Sequence, residues 1–189
     1  MYLLAKHPHV QELLYHEVVQ TNTSEPSQEL LQEMKLLTAV ILESLRLMPP
    51  IGQLVNRRAA QDTFLGTNMY IPRGTYLGYN SYSTNRDPQA WGPDPDAFVP
   101  QRWGATMAEI QKSYRRRRAR AEFISFHGGR RACLGERFAM LQLKVSLFVL
   151  IKSLRWRLDP SWKDQITPAG PICPRALKLI IESRDGLEG

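Results

Sequence analysis

Cysteine is scarce in this sequence of 189 residues: only Cys133 and Cys173 occur. The two stand in very different sequence contexts, so neither a disulfide framework nor the paired-cysteine spacing of a zinc site is available. This scarcity argues against a small, disulfide-stabilised secreted fold and indicates an intracellular, reducing location.

Long apolar runs are missing as well. The best candidate, residues 138–151, is interrupted by Gln142 and Lys144 and falls short of the roughly 20 residues that a membrane-spanning helix needs. The first residues also lack the basic, apolar and small-residue order of a signal peptide. The pattern predicts no membrane anchor within this sequence and a start in mid-protein.

Acidic residues are fewer than basic ones, 18 against 25, which gives a net charge of +7 and a pI of about 9.6. A positive balance favours acidic partners such as nucleic acid, an anionic membrane surface or an acidic protein, without ranking the three. Hydrophobic residues make up 43% of the chain and charged residues 23%. These proportions predict a globular domain, or a large piece of one, and not a disordered chain.

Apolar residues recur at helical spacing in three segments, which predicts helices over residues 8–20, 28–47 and 134–152. Pro49 and Pro50 end the second helix. Short runs rich in β-branched and aromatic residues, separated by glycine and proline, predict small strands elsewhere, in residues 53–83 and 176–182. The predicted fold class is mainly α with small β regions.

Residues 85–105 contain several prolines and aromatic residues and show little periodicity. This composition predicts an ordered but irregular segment, or meander, that is held by aromatic packing.

The most informative stretch begins at Phe126 and reads FHGGRRACLG. A cysteine that binds a metal as thiolate needs a tight loop, backbone N–H groups aimed at the sulfur and nearby positive charge. Cys133 directly precedes the helix predicted over residues 134–152, and the macrodipole of that helix favours an anion at its N-terminus. The turns and the positive charge come from Gly128, Gly129, Gly135, Arg130 and Arg131. The sequence therefore predicts an ionisable thiol at Cys133.

A lone cysteine is more often a small buried hydrophobic residue, in about three cases out of four. The neighbours of Cys133 reverse this expectation, because five fixed residues within ten are far more specific than an isolated glycine motif. The stretch matches the haem-binding pattern FxxGxRxCxG at Phe126, Gly129, Arg131, Cys133 and Gly135. The sequence thus resembles the cytochrome P450 family, whose cysteine ligates haem iron. The resemblance implies haem b as cofactor and Cys133 as the catalytic residue and axial iron ligand.

A second motif lies upstream, where Glu43 and Arg46 are three residues apart in the predicted helix. An exposed pair at this spacing contributes only about 0.2 to 0.5 kcal/mol, but apolar residues surround this one, which predicts a buried ion pair. The resemblance identifies the two as the ExxR pair of the P450 K helix and Arg102 as the meander arginine that completes the structural triad. The family motif usually has Glu where this chain has Gln101, a mild departure because the triad uses the arginine.

Other matching positions carry further implications. By resemblance, Arg57 and Arg131 would bind the haem propionates, which suits guanidinium groups that bind carboxylates in a bidentate manner. His127 is expected to be structural and not a ligand. Residues 51–55 and 169–173 are the expected contributors to a substrate pocket.

The resemblance covers residues 3–181 and implies the C-terminal portion of the P450 fold, with its K helix, meander, cysteine-ligand loop and L helix. We expect residues 1–189 to form a partial P450 domain, truncated at the N-terminus, with the distal oxygen-activating helix and the membrane anchor preceding Met1. Much apolar surface should then be uncovered, and haem binding by the chain alone should be weak. A full-length relative would lie on the cytosolic face of the endoplasmic reticulum membrane, whereas this chain is expected to be cytoplasmic or of unknown location.

The activity implied is that of a haem-thiolate monooxygenase, which oxidises an organic small molecule with O2 and electrons from NADPH–cytochrome P450 reductase. Residues 74–88 and 123–129 are similar to the fungal branch associated with dityrosine formation, which implies oxidative coupling of tyrosine phenols. Two alternatives are a catalytically inactive P450 fragment and a basic nucleic-acid-binding module. The second lacks aromatic interleaving and a recognisable binding motif, so we expect no nucleic-acid partner.

The basic run over residues 112–120 is the remaining feature. A solvated charged face is its usual explanation, and a nucleic-acid patch is another. Because the run lies between the meander and the cysteine loop, the resemblance places it near the proximal haem face, where an acidic reductase docks. The predicted docking residues are Lys112, Arg115, Arg116, Arg117 and Arg118.

Overall fold

The computed structural model describes residues 1–167 and 171–184, without the side chains of residues 54–56. Most of the regular structure is helical, as predicted. The helices are α1 (Tyr2–Lys6), α2 (Pro8–Val19), α3 (Gln28–Glu33), α4 (Lys35–Leu47), α5 (Ser81–Thr84), α6 (Pro88–Trp91), α7 (Met107–Ala119) and α8 (Glu136–Ser153). Two single turns of 3-10 helix add to them, at Pro100–Trp103 and Gly129–Arg131.

The strands within the described residues form three antiparallel pairs, β1 with β4, β2 with β3 and β5 with β6. Their bounds are β1 (Gln53–Arg58), β2 (Thr63–Leu65), β3 (Met69–Ile71), β4 (Tyr76–Asn80), β5 (Leu154–Leu158) and β6 (Leu179–Ser183). The pairing of β1 with β4 shifts register between Val55 and Arg57. The expectation of a mainly α fold with small β regions is confirmed.

Helix α4 is the centre of the hydrophobic core. Ten of its 13 residues are buried, Glu43 and Arg46 among them. The core continues through α2 and α8, whose most buried apolar side chains are Leu14, Val18, Phe148 and Ile151. A helix that is apolar around most of its circumference is stable only when other elements cover it on several sides, which is the place that α4 occupies.

The helix predicted over residues 28–47 is in fact two helices. The chain leaves helical geometry at Met34, whose φ and ψ are −72° and 100°, so that prediction is wrong at this residue. The first backbone N–H groups of α4 are satisfied from another helix, because the two carboxylate oxygens of Glu17 accept from Leu36 N and Leu37 N, each at 2.8 Å. On the other side of the break, Lys144 Nζ donates to Leu31 O at 2.8 Å.

The irregular segment over residues 85–105 is held by aromatic rings, as its composition predicted. The rings of Trp91 and Trp103 meet edge to face with centroids 5.4 Å apart, and Trp103 meets Phe123 in the same manner at 5.3 Å. Such pairs contribute about 0.5 to 1.5 kcal/mol beyond the burial of their area. These rings join the segment to the same hydrophobic core as α4.

The basic run forms most of α7, which begins with a capping box. The Thr106 hydroxyl accepts from Glu109 N, and the Glu109 carboxylate accepts from Thr106 N in return. This reciprocal arrangement satisfies two N–H groups at the start of the helix. The helical geometry of α7 decides which of its arginines reach solvent.

Candidate functional site

The Glu43 carboxylate is the centre of a buried hydrogen-bond network. Its Oε1 accepts from Arg46 Nη2 at 2.8 Å, Arg102 Nε at 2.9 Å and Val99 N at 3.0 Å. Its Oε2 accepts from Arg46 Nε at 2.9 Å and Trp103 Nε1 at 3.0 Å. The structure therefore brings Glu43, Arg46 and Arg102 together. Sequence reasoning missed Trp103, although an indole that follows the meander arginine directly offers a donor of this kind.

Arg46 uses its remaining donors on the meander backbone. Its Nη1 donates to Asn85 O at 2.9 Å and to Pro95 O, and its Nη2 donates to Ala97 O at 3.0 Å. The guanidinium also lies 4.7 Å from the ring centroid of Trp91. A planar guanidinium with five N–H donors can hydrogen-bond to several backbone segments at once. Arg46 therefore links the meander to α4.

Cys133 lies in the loop between the 3-10 turn Gly129–Arg131 and α8. Its backbone N–H donates to Phe126 O at 2.8 Å, and its own carbonyl accepts from Glu136 N at 3.4 Å. The Cys133 side chain is exposed, whereas Phe126 is buried. Helix α8 begins at Glu136, two residues later than predicted, with Gly135 as its N-cap. The thiol is thus presented to solvent on a loop whose first residue is anchored in the core.

Two residues of this loop adopt left-handed backbone geometry, His127 with φ 60° and Gly129 with φ 59°. A non-glycine residue pays a steric cost at such a φ, so Gly129 suits its position. His127 is held by its neighbours, because its ring Nδ1 shares a hydrogen bond with Tyr79 Oη and its carbonyl accepts from Arg118. The structural role expected for His127 stays a prediction.

Beside the loop lies a cavity of about 380 Å³ with a basic lining. Arg57 and Arg131, which are 74 positions apart in the sequence, both line it, and so does Arg118. Arg118 Nη1 also donates to Glu136 Oε1 at 2.9 Å. The complete lining is Arg57, Tyr79, Thr84, Arg118, Ala121, Ile124, His127, Gly128 and Arg131. Guanidinium groups arranged in this way suit carboxylate groups of a ligand.

Exposed apolar side chains follow Cys133 along the chain. The Leu134 side chain is fully exposed, Phe138 is 73% exposed, and Val145 and Val149 extend the same exposed side of α8. An exposed thiol, an adjacent apolar strip and a cavity lined by Arg57 and Arg131 are the chemical groups that a haem with its two propionates requires. The residues present therefore fit haem.

A second, apolar cavity of about 430 Å³ lies between α1, α4, α8 and the segment around residue 172. Its lining includes Ile41, Leu45, Leu147 and Ile172. A Cβ atom on Gly52 would lie 2.7 Å from Ile172 Cγ1, so parts of the two predicted pocket segments are in contact. Of the residues predicted for the pocket, those at 169 and 170 and the side chains at 54 and 55 lie outside the described residues.

Helix α7 divides its basic residues between two environments. Arg117 is buried, with its guanidinium 3.8 Å from the Trp91 ring centroid and its Nη1 donating to Ala90 O and Glu122 Oε2. Burial lowers the pKa of Arg117, and the neighbouring Glu122 opposes this effect. The prediction that Arg117 forms part of a docking surface is wrong, because its guanidinium is buried against Trp91. Trp91 lies 26 residues earlier in the chain.

Arg118 is also turned away from open solvent by its ion pair with Glu136, which accepts from Tyr114 Oη as well. Burial and this carboxylate raise the pKa of Tyr114. The basic side chains of α7 and its C-cap that remain exposed are Lys112, Arg115, Arg116 and Arg120. Lys112, Arg116 and Arg120 follow one another four residues apart, and Arg115 is three residues from Lys112, so the four lie on one broad side of the helix. This set is called the basic stripe below.

A family model described as Cytochrome P450 matches residues 1–178. The chain therefore belongs to the cytochrome P450 family, and its helices and small sheets are a mainly α portion of the P450 fold.

Similar proteins include fungal and plant cytochromes P450. Cytochrome P450-DIT2 of Saccharomyces cerevisiae is 42% identical over 180 residues, covering 95% of this chain and 36% of that protein. Cytochrome P450 monooxygenase xanG of Aspergillus fumigatus is 39% identical over 165 residues, covering 87% and 31%. Cytochrome P450 714B2 of Oryza sativa is 32% identical over 187 residues, covering 98% and 31%. The chain spans about a third of the length of these curated relatives.

Helices long and apolar enough to cross a bilayer are absent from the part of the chain that the structure describes.

Proposed function

We propose that this chain is the haem-thiolate part of a cytochrome P450 monooxygenase, in which the Cys133 thiolate would bind the iron of haem b. The observation that supports this most is the exposed Cys133 thiol on a core-anchored loop, next to a cavity lined by Arg57 and Arg131. Haem of this kind would supply oxygen activation, which a thiolate ligand favours by pushing electron density toward iron.

The residues of the chain would then have separate tasks. The Phe126 carbonyl fixes the loop by accepting the Cys133 N–H at 2.8 Å. Arg57 and Arg131 would bind the two propionates, because a guanidinium group can bind a carboxylate in a bidentate manner. Leu134, which follows Cys133 directly, and Phe138 are both exposed and would offer the porphyrin apolar contacts that exclude water.

Absorbance spectroscopy tests this assignment on the purified chain after haem is added. We expect the carbon monoxide complex of Cys173→Ser, which removes the other cysteine, to keep the band typical of thiolate ligation. Cys133→Ala should lose that band. A Cys133→Ala variant with an unchanged spectrum would refute the proposed ligand.

For the substrate, we propose a small phenolic molecule that is coupled oxidatively, such as a tyrosine derivative. The support is the similarity of residues 74–88 and 123–129 to the fungal dityrosine-forming branch, together with 42% identity to the yeast relative named Cytochrome P450-DIT2. Incubating the haem-loaded protein and its reductase with N-formyltyrosine should yield a coupled product detectable by mass spectrometry. Absence of coupling alongside oxidation of other substrates would contradict this substrate class.

Electrons would come from an acidic partner, NADPH–cytochrome P450 reductase, docking on the basic stripe. The support is that the four stripe side chains are exposed, whereas Arg117 is buried and the half-buried Arg118 is paired with Glu136. Complementary charge raises association rates more than it raises affinity. The same α7 helix also contributes Arg118 to the cavity beside the cysteine loop.

A further inference from the structure

The C-terminal end of α4 is capped by side chains from two distant segments. A helix leaves its last carbonyl groups without helical partners. In α4, Leu45 O accepts from Ser125 Oγ at 2.7 Å and Arg46 O accepts from Asn85 Nδ2 at 3.2 Å. Leu47 O accepts from the Arg86 guanidinium. The meander and the segment leading to the cysteine loop thus meet at one helix end.

Asn85 is the residue that joins the two segments to each other. It is completely buried, and besides Arg46 O its Nδ2 donates to Ser125 Oγ at 2.8 Å. Its Oδ1 accepts from Ile124 N at 3.0 Å. An amide side chain has two donor hydrogens and one acceptor oxygen, and here all three are used. No apolar or singly functional side chain of this size could make the same set of bonds.

The connection from Asn85 to the thiol is short. Ile124 and Ser125, which Asn85 holds, directly precede Phe126, and the Phe126 carbonyl accepts the Cys133 N–H. The loop between Phe126 and Cys133 includes the left-handed residues His127 and Gly129. Hydrogen bonds inside the core thereby fix the start of the cysteine loop relative to α4, although the loop itself is exposed.

We propose that Asn85, together with Ser125, is a positioning residue for the metal-binding thiol: it locks the base of the cysteine loop to the end of α4. The inference rests on the proposed function of Cys133 and adds a residue to it. Asn85 acts through Ile124, Ser125 and Phe126 and does not itself reach the thiol. Its effect should therefore be local to the loop, whereas a residue that only stabilises the fold would affect all helices alike.

Amide hydrogen exchange measured on the full chain without haem tests the positioning. Asn85→Ala should raise the exchange rates of the Ile124 and Cys133 amides roughly ten- to hundredfold, as expected when buried hydrogen bonds are lost. The rates in α2 should stay within about twofold. Asn80→Ala is the matched control, because Asn80 is exposed and its side chain accepts only the local Ser83 N–H among the bonds described. It should leave the loop rates unchanged.

Conservative rescue provides a second readout. Ser125→Ala removes the hydroxyl that donates to Leu45 O and should speed loop exchange, while Ser125→Thr keeps a hydroxyl and should restore slow exchange. A uniform rise in exchange over all helices in Asn85→Ala, or unchanged loop rates, would overturn the proposal. Equal loop exchange rates in Ser125→Thr and Ser125→Ala would also overturn the proposal.

The haem-loaded chain separates this proposal from the assignment of the ligand. Asn85→Ala should reduce the fraction of carbon monoxide complex with thiolate-type absorbance, whereas Asn80→Ala should not. If Cys133→Ala keeps its spectrum, the ligand assignment fails, yet the exchange rates still report whether Asn85 fixes the loop. If Cys133→Ala loses its spectrum and Asn85→Ala behaves as wild type in both measurements, the positioning proposal alone fails.

Discussion

Lys144 of α8 and Leu31 of α3 are joined by a buried hydrogen bond, 2.8 Å from Nζ to the carbonyl oxygen. Burial lowers the pKa of Lys144 from its ordinary value of 10.5, and the carboxylates of Glu17 and Glu33 oppose this only in part. A lysine whose folded-state pKa is lowered binds fewer protons in the folded state than in the unfolded state. Its charge therefore disfavours folding at low pH.

The lowered pKa of Lys144 predicts how the free energy of unfolding changes with pH. Between the lowered pKa of Lys144 and 10.5, the unfolded state binds more protons, so the Lys144 contribution to the free energy of unfolding should rise with pH. Lys144→Met should remove this rise. Denaturant titrations of both proteins at a series of alkaline pH values measure the difference. Exposed Lys35 provides the control, since Lys35→Met should retain the wild-type slope; equal slopes in wild type and Lys144→Met would contradict the prediction.

Glu17 should be important for the start of α4. Its carboxylate accepts the N–H groups of Leu36 and Leu37, and Met34 at the N-cap provides no side-chain acceptor. We expect Glu17→Ala to lower the free energy of unfolding by about 1 to 2 kcal/mol, the usual effect of losing a helix cap. Chemical denaturation measures it, with Glu33→Ala on the exposed side of α3 as the comparison. A loss no larger than that of the Glu33 variant would show that the cap contributes little.

The break at Met34 shows where sequence reasoning ends. Apolar residues recur without interruption through residues 28–47, and local periodicity therefore predicts a single helix. What makes two helices possible is capping from Glu17 and Lys144, which lie 17 residues before and 110 residues after Met34. Tertiary partners that satisfy these three backbone groups, two N–H and one carbonyl, cannot be found from a local window.

Dependence on tertiary contacts also limited what the sequence could predict for the arginines of α7, but not for the cysteine loop. Arg117 and Arg116 are neighbours of equal chemistry, and only the position of Trp91 decides which one is buried. The motif around Cys133 and the Glu43–Arg46 pair could be recognised because each is contained in a few consecutive residues. Arg57 entered the predicted site by resemblance alone, and its place beside Arg131 required the folded structure.

The Glu43 network should tolerate loss of its indole far better than loss of its carboxylate. Glu43→Ala leaves two arginines without their buried acceptor, and we expect it to cost about 3 to 5 kcal/mol. Trp103→Phe keeps most of the ring but removes the donor to Glu43 Oε2, with an expected cost of about 1 to 3 kcal/mol. Urea unfolding followed by circular dichroism compares the two. Equal costs would mean that ring packing, and not the carboxylate, dominates the network.

Adjacent glycines in the cysteine loop should respond differently to alanine. Gly129 has a φ of 59°, whereas Gly128 is extended with a φ of −150°, and a Cβ atom on either would meet nothing within 4 Å. Gly129→Ala should therefore cost about 1 to 2 kcal/mol through backbone strain alone. Gly128→Ala should be nearly neutral. Free energies of unfolding of the two variants test this difference. Similar values for both would contradict the strain argument.

Neutralising the basic stripe should change electron delivery without unfolding the protein. In the haem-loaded chain, Arg115→Gln with Arg116→Gln should slow reduction by the reductase and flatten the dependence of its rate on salt, because salt screens exposed charges. Arg117→Gln removes the same charge from the buried position on Trp91. It should instead lower the free energy of unfolding by about 1 to 3 kcal/mol and leave the salt dependence as in wild type. Stopped-flow reduction over a range of salt concentrations distinguishes the two sites, and an unchanged salt dependence in the double variant would mean that the stripe is only a solvated face.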